Sequence, residues 1–139
     1  MSLRFSPRLA LWLSWIPAIS CMAFIFYLSS LPGDQVHLPD FWNSDKLVHF
    51  FAYSVLGFLI ASRRLTYYRL QNPKPIYPST HEWISIPLGA LYGVSDEIHQ
   101  RFVPLREYSY WDMTADTCGI IAGYFLFQLL LAFVLRKKP

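Results

Sequence analysis

Charged residues are scarce in this sequence of 139 residues. Asp, Glu, Lys and Arg together make up 15% of the chain, whereas soluble domains carry about 25%. Hydrophobic residues make up 54% and aromatic residues 18%. This composition argues against a soluble or disordered chain and favours a membrane protein with a single domain, residues 1–139.

Cysteine is also scarce, and several familiar motifs are absent. Cys21 and Cys118 lie inside apolar runs and form neither a metal spacing nor a disulfide framework, so we expect both to be small buried hydrophobic residues. The sequence has no HExxH motif, no glycine-rich nucleotide-binding motif and no long-period repeat. We therefore expect no cofactor and no nucleic-acid partner.

Long apolar runs dominate what is present. A membrane-spanning helix needs about 20 mostly apolar residues, and such runs cover residues 9–28, 46–62, 83–103 and 113–135. They predict an all-α, polytopic membrane protein, a bundle of four transmembrane helices. Pro17 should kink the first helix. Its apolar run continues to Leu28, too far for a signal peptide, so we expect it to be retained.

The basic residues predict the orientation of these helices. Most of them precede the first span, separate the second from the third, or follow the fourth: Arg4, Arg8, Arg63, Arg64, Arg69, Lys74, Arg136, Lys137 and Lys138. The positive-inside rule places these regions, including both termini, in the cytoplasm. All acidic residues except Glu82 then lie on the opposite side.

Glycines and carboxylates share faces of the third and fourth spans. Gly89 and Gly93 form a GxxxG pair in the third span, and Gly119 and Gly123 form another in the fourth. Small residues allow helices to approach closely in a membrane, so we expect these two spans to pack through their glycines. This packing would gather, near the outer surface, four carboxylates: Asp96, Glu97, Asp112 and Asp116.

The second span adds a polar face to the same end. Asp45, His49 and Tyr53 are four residues apart and so share one side of a helix. Lys46 can extend its ammonium group to the interface. The polar ends of three spans can therefore converge into one pocket.

The adjacent residues Asp96 and Glu97 should point in different directions. We expect Glu97 to continue the Gly93 face and Asp96 to pair with Lys46 or His49. Carboxylates in such a pocket could act as general acid and base. A structural ion pair that locks the spans together is equally consistent with the sequence.

Arginine and histidine suggest two kinds of ligand. Arg106 follows Pro104 in a loop and is the better of two outer arginines for binding a phosphate or carboxylate. His49, Asp96, His99 and Asp112 are residue types that bind zinc or manganese. Because their spacing matches no known metal motif, we expect no metal site.

Two segments resemble the VanZ-like family of small bacterial membrane proteins: "DKLVHFFAYSVLGF" and "YGVSDEIHQRFVPLREYSYWDMTADTCGIIAG". The family pattern matches Asp45, Lys46, His49, Tyr53, Gly93, Asp96, Glu97, Gln100, Pro104, Arg106, Asp112, Gly119 and Gly123. The chain departs from it at Leu105, where the family often has Gly, and at Asp116, where it often has Asn.

The resemblance implies a multi-pass protein of the bacterial cytoplasmic membrane, and the name-giving member is linked to teicoplanin resistance. Combined with the residue patterns, it suggests an outer pocket that binds or acts on a membrane lipid or lipid-linked envelope precursor. The candidate catalytic residues are Asp96, Glu97, Asp112 and His49. The candidate substrate-binding residues are Lys46, Asp45, Tyr53, Gln100, Arg106 and Asp116.

Two other functions stay open at this point. One is a non-catalytic membrane scaffold or shielding module whose charged cluster is a structural clasp. The other is a proton-coupled transporter, for which four spans are few unless the chain forms an oligomer. A homo-oligomer and a membrane-protein partner are both compatible with the sequence.

Overall fold

The computed structural model describes residues 6–36, 44–71 and 84–136. These residues form five α-helices and one short 3₁₀ turn: α1 (Pro7–Leu13), α2 (Ile16–Ser29), the 3₁₀ turn (Gly33–Gln35), α3 (Ser44–Gln71), α4 (Ser85–Gln100) and α5 (Tyr110–Arg136). The predicted all-α fold class, a polytopic helical bundle, is confirmed.

The first predicted span is divided near Pro17. α1 ends at Leu13, and α2 begins at Ile16, with Pro17 in its first turn. Proline has no N–H to donate, and its ring clashes with the carbonyl four residues earlier, which here belongs to Leu13. The predicted kink is therefore an interruption between two helices.

The second span is longer than predicted. α3 has 28 residues and a length of about 42 Å at 1.5 Å per residue. Residues 63–71, expected in the basic loop, continue the helix. Pro73 is the first proline after the helix begins, and helices usually end before the residue that precedes a proline. The rest of the predicted loop, residues 72–83, lies outside the described residues.

Three helical segments in the described part of the chain are long and apolar enough to cross a membrane: Pro7–Ser29, Ser44–Arg63 and Tyr110–Val134. The third predicted span, residues 83–103, corresponds to α4, which is shorter: it has 16 residues and a length of about 24 Å. Large apolar side chains face outwards, among them Phe24, Phe51 and Leu129. An apolar outer surface of this kind suits contact with lipid.

α3 and α5 form the closest helix pair through the glycines of α5. A Cβ added at Gly119 would overlap the carbonyl oxygen of Phe50, and one added at Gly123 would overlap that of Ser54. The prediction that the α5 glycines contact the third span is therefore wrong. They face α3, where the absence of a side chain brings two backbones together.

α4 packs on a different face of α5. A Cβ added at Gly89 would lie 2.7 Å from Cδ1 of Ile120, and one added at Gly93 would lie 2.9 Å from Cβ of Asp116. The α4 glycines therefore approach the fourth predicted span as expected. α5 thus presents its glycines to α3 and its Asp116–Ile120 face to α4, whereas α3 contacts α1, α2, α4 and α5 and is the central helix of the described residues.

The bundle has an apolar centre and a basic far end. Tyr53, Leu56 and Ile120 are buried in the centre. Towards the far end, the Arg63 guanidinium lies 3.2 Å from the centre of the Trp15 ring, a cation–π contact. Cys118 is exposed on the outside of α5, so the expectation that it is buried is wrong.

Candidate functional site

The predicted polar residues collect at one end of the bundle, where α2 and α4 end and α3 and α5 begin. The four-residue spacing on α3 and α5 turns each set towards one side. All ten candidate site residues lie at this end: Asp45, Lys46, His49, Tyr53, Asp96, Glu97, Gln100, Arg106, Asp112 and Asp116.

His49 lies at the centre of the cluster. Its Nδ1 atom is 3.0 Å from Oδ1 of Asp116 and 3.8 Å from Oε1 of Glu97. Both carboxylate side chains are fully buried, and the His49 side chain is 13% exposed. Three helices thus meet at one imidazole ring, with one residue from each.

Glu97 has one satisfied and one unsatisfied oxygen. Oε2 accepts a hydrogen bond of 3.0 Å from the backbone N–H of Ser109, just before α5. Oε1 is buried and has no hydrogen-bond partner in the described part of the protein. Glu97 therefore holds the α4–α5 connection closed and directs one oxygen towards His49.

Lys46 joins the first turns of α3 and α5. Its Nζ lies 2.7 Å from Oδ2 of Asp45 and 3.1 Å from Oδ1 of Asp112. The Asp45 side chain is partly exposed, whereas Asp112 is buried. Since Asp112 is the shielded partner, its ion pair with Lys46 is the more consequential of the two.

Asp96 faces α2 and is separated from the His49 cluster. Its Oδ2 accepts hydrogen bonds from the Ser29 hydroxyl, at 2.8 Å, and from the Gln100 amide, at 3.3 Å. The expectation that Asp96 pairs with Lys46 or His49 is wrong. Consecutive helical residues point about 100° apart, so Asp96 turns to α2 when Glu97 turns to α3 and α5.

Arg106 binds the backbone of α2 and the residues that follow it. Its Nε donates to the carbonyl of Leu31 at 3.2 Å, and its Nη2 donates to that of Leu28 at 2.9 Å. Helix carbonyls at a C-terminus lack partners within the helix. Arg106 therefore caps α2 and ties it to the α4–α5 loop.

Leu105, which precedes Arg106, has a left-handed backbone with φ of 59°. This conformation favours glycine, which agrees with the family's frequent Gly at this position. Leu105 packs beside the α2–α3 connection, where Gly33 donates its N–H to the Pro104 carbonyl at 3.0 Å. The turn thus aims Arg106 at α2 although the residue before it is not glycine.

Tyr53 closes the floor of the cluster. It is 1% exposed, its ring lies parallel to that of His49 with centres 6.5 Å apart, and its hydroxyl is buried without a hydrogen-bond partner among the described residues. The buried residues next to this ring in the bundle centre, Leu56 and Ile120, are apolar.

A cavity of about 220 Å³ lies beside the cluster, between α2, α3 and α4. The lining is mostly apolar surface. Its polar residues are Ser29, Asp45, His49, Tyr53, Asp96, Gln100 and Arg106, and its apolar residues are Ile25, Leu28, Val36, Val48 and Ala52. Lys46, Glu97, Asp112 and Asp116 do not line it. The ten candidates therefore divide into residues at the cavity and residues behind His49.

Sequence reasoning missed three contributors. Ser29 holds Asp96, Ser109 supplies an N–H to Glu97, and the Tyr92 hydroxyl donates to the backbone carbonyl of Met22 at 2.7 Å. Ser29 ends an apolar run and Ser109 lies in a tyrosine-rich loop. Ser109 and Tyr92 lie within about one helical turn of Asp112 and Asp96, which is the available signal for them, whereas no local pattern marks Ser29.

The structure also changes the set of candidate metal ligands. His49, Glu97 and Asp112 each offer one ligand atom, and these three atoms lie within 4.8 Å of one another. His99 is elsewhere, with its Nε2 3.0 Å from the Ser30 hydroxyl and its ring stacked on Phe26. The sequence spacing did not predict the group of His49, Glu97 and Asp112, because its three residues come from three different helices.

Comparison with known proteins gives one finding. The chain matches the family model VanZ/LLP1 over residues 13–131, which include every candidate site residue. Neither the curated proteins nor the solved structures contain a match. Because the match covers most of its length, the chain belongs to the VanZ/LLP1 family.

Proposed function

We propose that this protein lies in the bacterial cytoplasmic membrane with both termini in the cytoplasm and its polar end facing outwards. The basic residues around the predicted spans support this orientation. Arg63, near the far end of the bundle, and the carboxylate cluster at the other end give the protein the required charge asymmetry. Two single-cysteine variants, Glu107→Cys and Arg136→Cys, in a chain without Cys21 and Cys118, test this orientation. They are labelled in intact cells with a membrane-impermeant thiol reagent. Labelling at 107 alone is expected, and labelling at 136 alone would refute the orientation.

The function that the geometry supports best is binding of a lipid-linked cell-envelope molecule in the cavity. The observation that carries this proposal is that the cavity lining combines polar side chains from the cluster with a mostly apolar surface. A ligand with a polar head on an acyl or polyprenyl chain carries the same combination of groups. Pockets for drug-sized ligands span about 300–1,000 Å³, so a cavity of about 220 Å³ holds part of a headgroup rather than a whole precursor.

Three cavity residues can donate to an anionic headgroup, His49, Tyr53 and Arg106, whereas the Gln100 amide already donates to Ser29 and Asp96. Two nitrogens of Arg106 already donate to α2 carbonyls, but a guanidinium carries five N–H donors. Lys46, expected to hold the headgroup, does not line the cavity and instead pairs with Asp112. Binding through Arg106 would therefore couple the ligand to the position of α2.

The cavity lining separates the candidate catalytic residues into two groups. His49 and Asp96 line the cavity, whereas Glu97 and Asp112 lie behind His49. If the protein acts on its ligand, proton transfer at the ligand falls to His49 or Asp96, since a general base must come within hydrogen-bond reach. Glu97 and Asp112 would then orient and polarise the imidazole.

Filling the cavity tests the binding proposal. Ala52 lines the cavity on α3, and Val55, one turn later, is exposed on the same helix. We expect Ala52→Phe to lose a bound polyprenyl phosphate in native mass spectrometry and Val55→Phe to retain it. Phosphatidylglycerol and inorganic phosphate are offered separately as further probes. Binding of the first would indicate a general lipid site, and binding of the second a simple phosphate site. Equal retention of polyprenyl phosphate by both variants would refute the proposal.

The second candidate is a non-catalytic scaffold in which the charged cluster is a clasp. The observation that favours it is that most charged groups are paired with each other or with backbone: Lys46 with Asp112, His49 with Asp116, and Arg106 with two carbonyls. His49→Gln separates the two, because His49 lines the cavity and also pairs with Asp116. A clasp predicts a large fall in melting temperature with no ligand on the wild type, whereas a binding pocket predicts lost ligand with a small fall.

A role in glycopeptide response follows if the ligand is a cell-wall precursor. Expression of the chain in a susceptible bacterium should then raise the inhibitory concentration of teicoplanin. We expect Ala52→Phe to abolish the increase and Val55→Phe to preserve it, because only the former fills the cavity. An unchanged teicoplanin response with confirmed polyprenyl phosphate binding would separate this member from resistance.

A further inference from the structure

The group of His49, Glu97 and Asp112 has the composition of a cation site. One donor atom from each residue lies within 4.8 Å of the other two. The three residues come from α3, α4 and α5, so the group exists only in the folded bundle. One imidazole with two carboxylates is a ligand set used for zinc and manganese.

A second observation points a buried oxygen into this group. Glu97 is fully buried, and its Oε1 atom, 3.8 Å from Nδ1 of His49, has no hydrogen-bond partner in the described part of the protein. Oδ2 of Asp116, another fully buried residue, is also without a partner there. Buried carboxylate oxygens normally have a hydrogen bond, a countercharge or a metal.

The charges near the group also favour a cation. Five carboxylates belong to the cluster, from Asp45, Asp96, Glu97, Asp112 and Asp116, together with Lys46, Arg106 and His49. The negative groups outnumber the permanent positive ones, and four of the five are buried. Unpaired charge at membrane depth is unfavourable, so a divalent cation would offset this excess.

We propose that His49, Glu97 and Asp112 bind one divalent cation of the zinc or manganese class, with Asp116 beside it as a further oxygen donor. Zinc ligands in a tetrahedron lie roughly 3.4 Å apart, from bond lengths of about 2.1 Å. The donor atoms, which lie within 4.8 Å of one another, therefore need to close by at most about 1.4 Å. This proposal replaces the sequence-based expectation of no metal, which rested on spacing along the chain.

The site would complement the cavity without depending on it. His49 belongs to both. The cation site itself requires only the three side chains, so it does not rest on the proposed lipid-linked ligand.

Metal binding by the purified protein tests the proposal. Tag-free protein in detergent is stripped with a chelator, titrated with Zn²⁺ or Mn²⁺ alone, passed through gel filtration and measured for bound metal and melting temperature. We expect about one ion per chain and a higher melting temperature with at least one of the two metals, because binding to the folded state stabilises it. If wild-type protein binds neither metal stoichiometrically, the proposal is wrong.

Matched variants locate the ion. Glu97→Gln should weaken binding by at least about tenfold, while Glu107→Gln, which changes an exposed carboxylate in the next loop, should bind as the wild type does. His99→Gln removes the histidine outside the group and should also have no effect. Equal affinity in Glu97→Gln and wild type would overturn the assignment. If Glu97→Gln does not fold, the wild-type titration and Asp112→Asn give the decision. The titration needs no lipid, so its result is independent of polyprenyl phosphate binding.

Discussion

Replacement of Gly123 by alanine should separate α3 from α5. A Cβ at this position would overlap the Ser54 carbonyl oxygen and lie 2.7 Å from the Phe58 backbone nitrogen. Ordinary van der Waals contact begins near 3.4 Å, and neither atom belongs to a side chain that can rotate away. The two helices must therefore move apart at the point where they are closest.

The expected cost follows from the size of this displacement. A gap of 0.5–1 Å forfeits a quarter to a half of each dispersion contact, and overpacking typically costs about 1–3 kcal/mol. Alanine is better than glycine in a helix by about 1 kcal/mol. Because backbone must move and the rest of the α3–α5 interface loosens with it, we expect an overpacking cost at the upper end, about 3 kcal/mol, and therefore a net loss of about 2 kcal/mol.

Gly89→Ala is the matched control. Its Cβ would also lie 2.7 Å from its nearest neighbour, but that atom is Cδ1 of Ile120, the end of a flexible side chain. A strained rotamer costs about 0.5–1.5 kcal/mol, which the gain in helix propensity nearly offsets. The free energy of unfolding, measured by SDS titration of detergent-solubilised protein with tryptophan fluorescence, should fall for Gly123→Ala and change little for Gly89→Ala. Equal losses would refute the distinction between backbone and side-chain neighbours.

The remaining predictions concern the α4–α5 loop and use the same stability assay. Leu105→Gly should stabilise the protein by about 0.5–1 kcal/mol. A left-handed backbone costs a non-glycine residue about 1–2 kcal/mol, and part of the relief is offset because glycine loses more conformational entropy on folding. Arg101→Gly, at φ of −55°, should destabilise it, and a loss in both variants would contradict the argument. Arg106→Ala should cost about 2 kcal/mol, since charged hydrogen bonds to the carbonyls of Leu28 and Leu31 contribute about 1.5–3 kcal/mol each when buried and less when partly exposed. Arg101→Ala, at an exposed position, should change stability little, and equal effects of the two alanine variants would exclude the capping role.

The helices were predictable because their apolar runs and breaks are local properties. Pro17 marks the interruption of the first span, and the run after Met113 marks α5. The end of α3 was not predicted, since residues 63–71 are polar enough to read as a loop although they include no glycine or proline. Hydropathy measures the match to lipid, whereas helix length depends on backbone breaks, and the two differ where a helix passes beyond its apolar part.

Pairings between helices were less predictable than the faces that carry them. The spacing placed Asp112 and Asp116 on one side of α5 and Asp45 and His49 on one side of α3. It did not give the rotation of α5, which decides that Gly119 faces α3. The Asp96 interaction with Ser29 depends on the docking of α2, which no local pattern specifies. Rotation and docking are set by side-chain fit among all helices at once.

The ties that hold α2 have a consequence for biogenesis. The Ser29–Asp96, Met22–Tyr92 and Leu28–Arg106 contacts each join residues separated by 67 to 78 positions in the chain. Since chains are made from the N-terminus, the segment Pro7–Ser29 is complete before any of these partners has been synthesised. Its length and apolar composition are enough for it to cross a membrane without them. Asp96, by contrast, meets Ser29 already in place, so the order of synthesis presents each buried carboxylate of α4 with a waiting neighbour on α2 or α3.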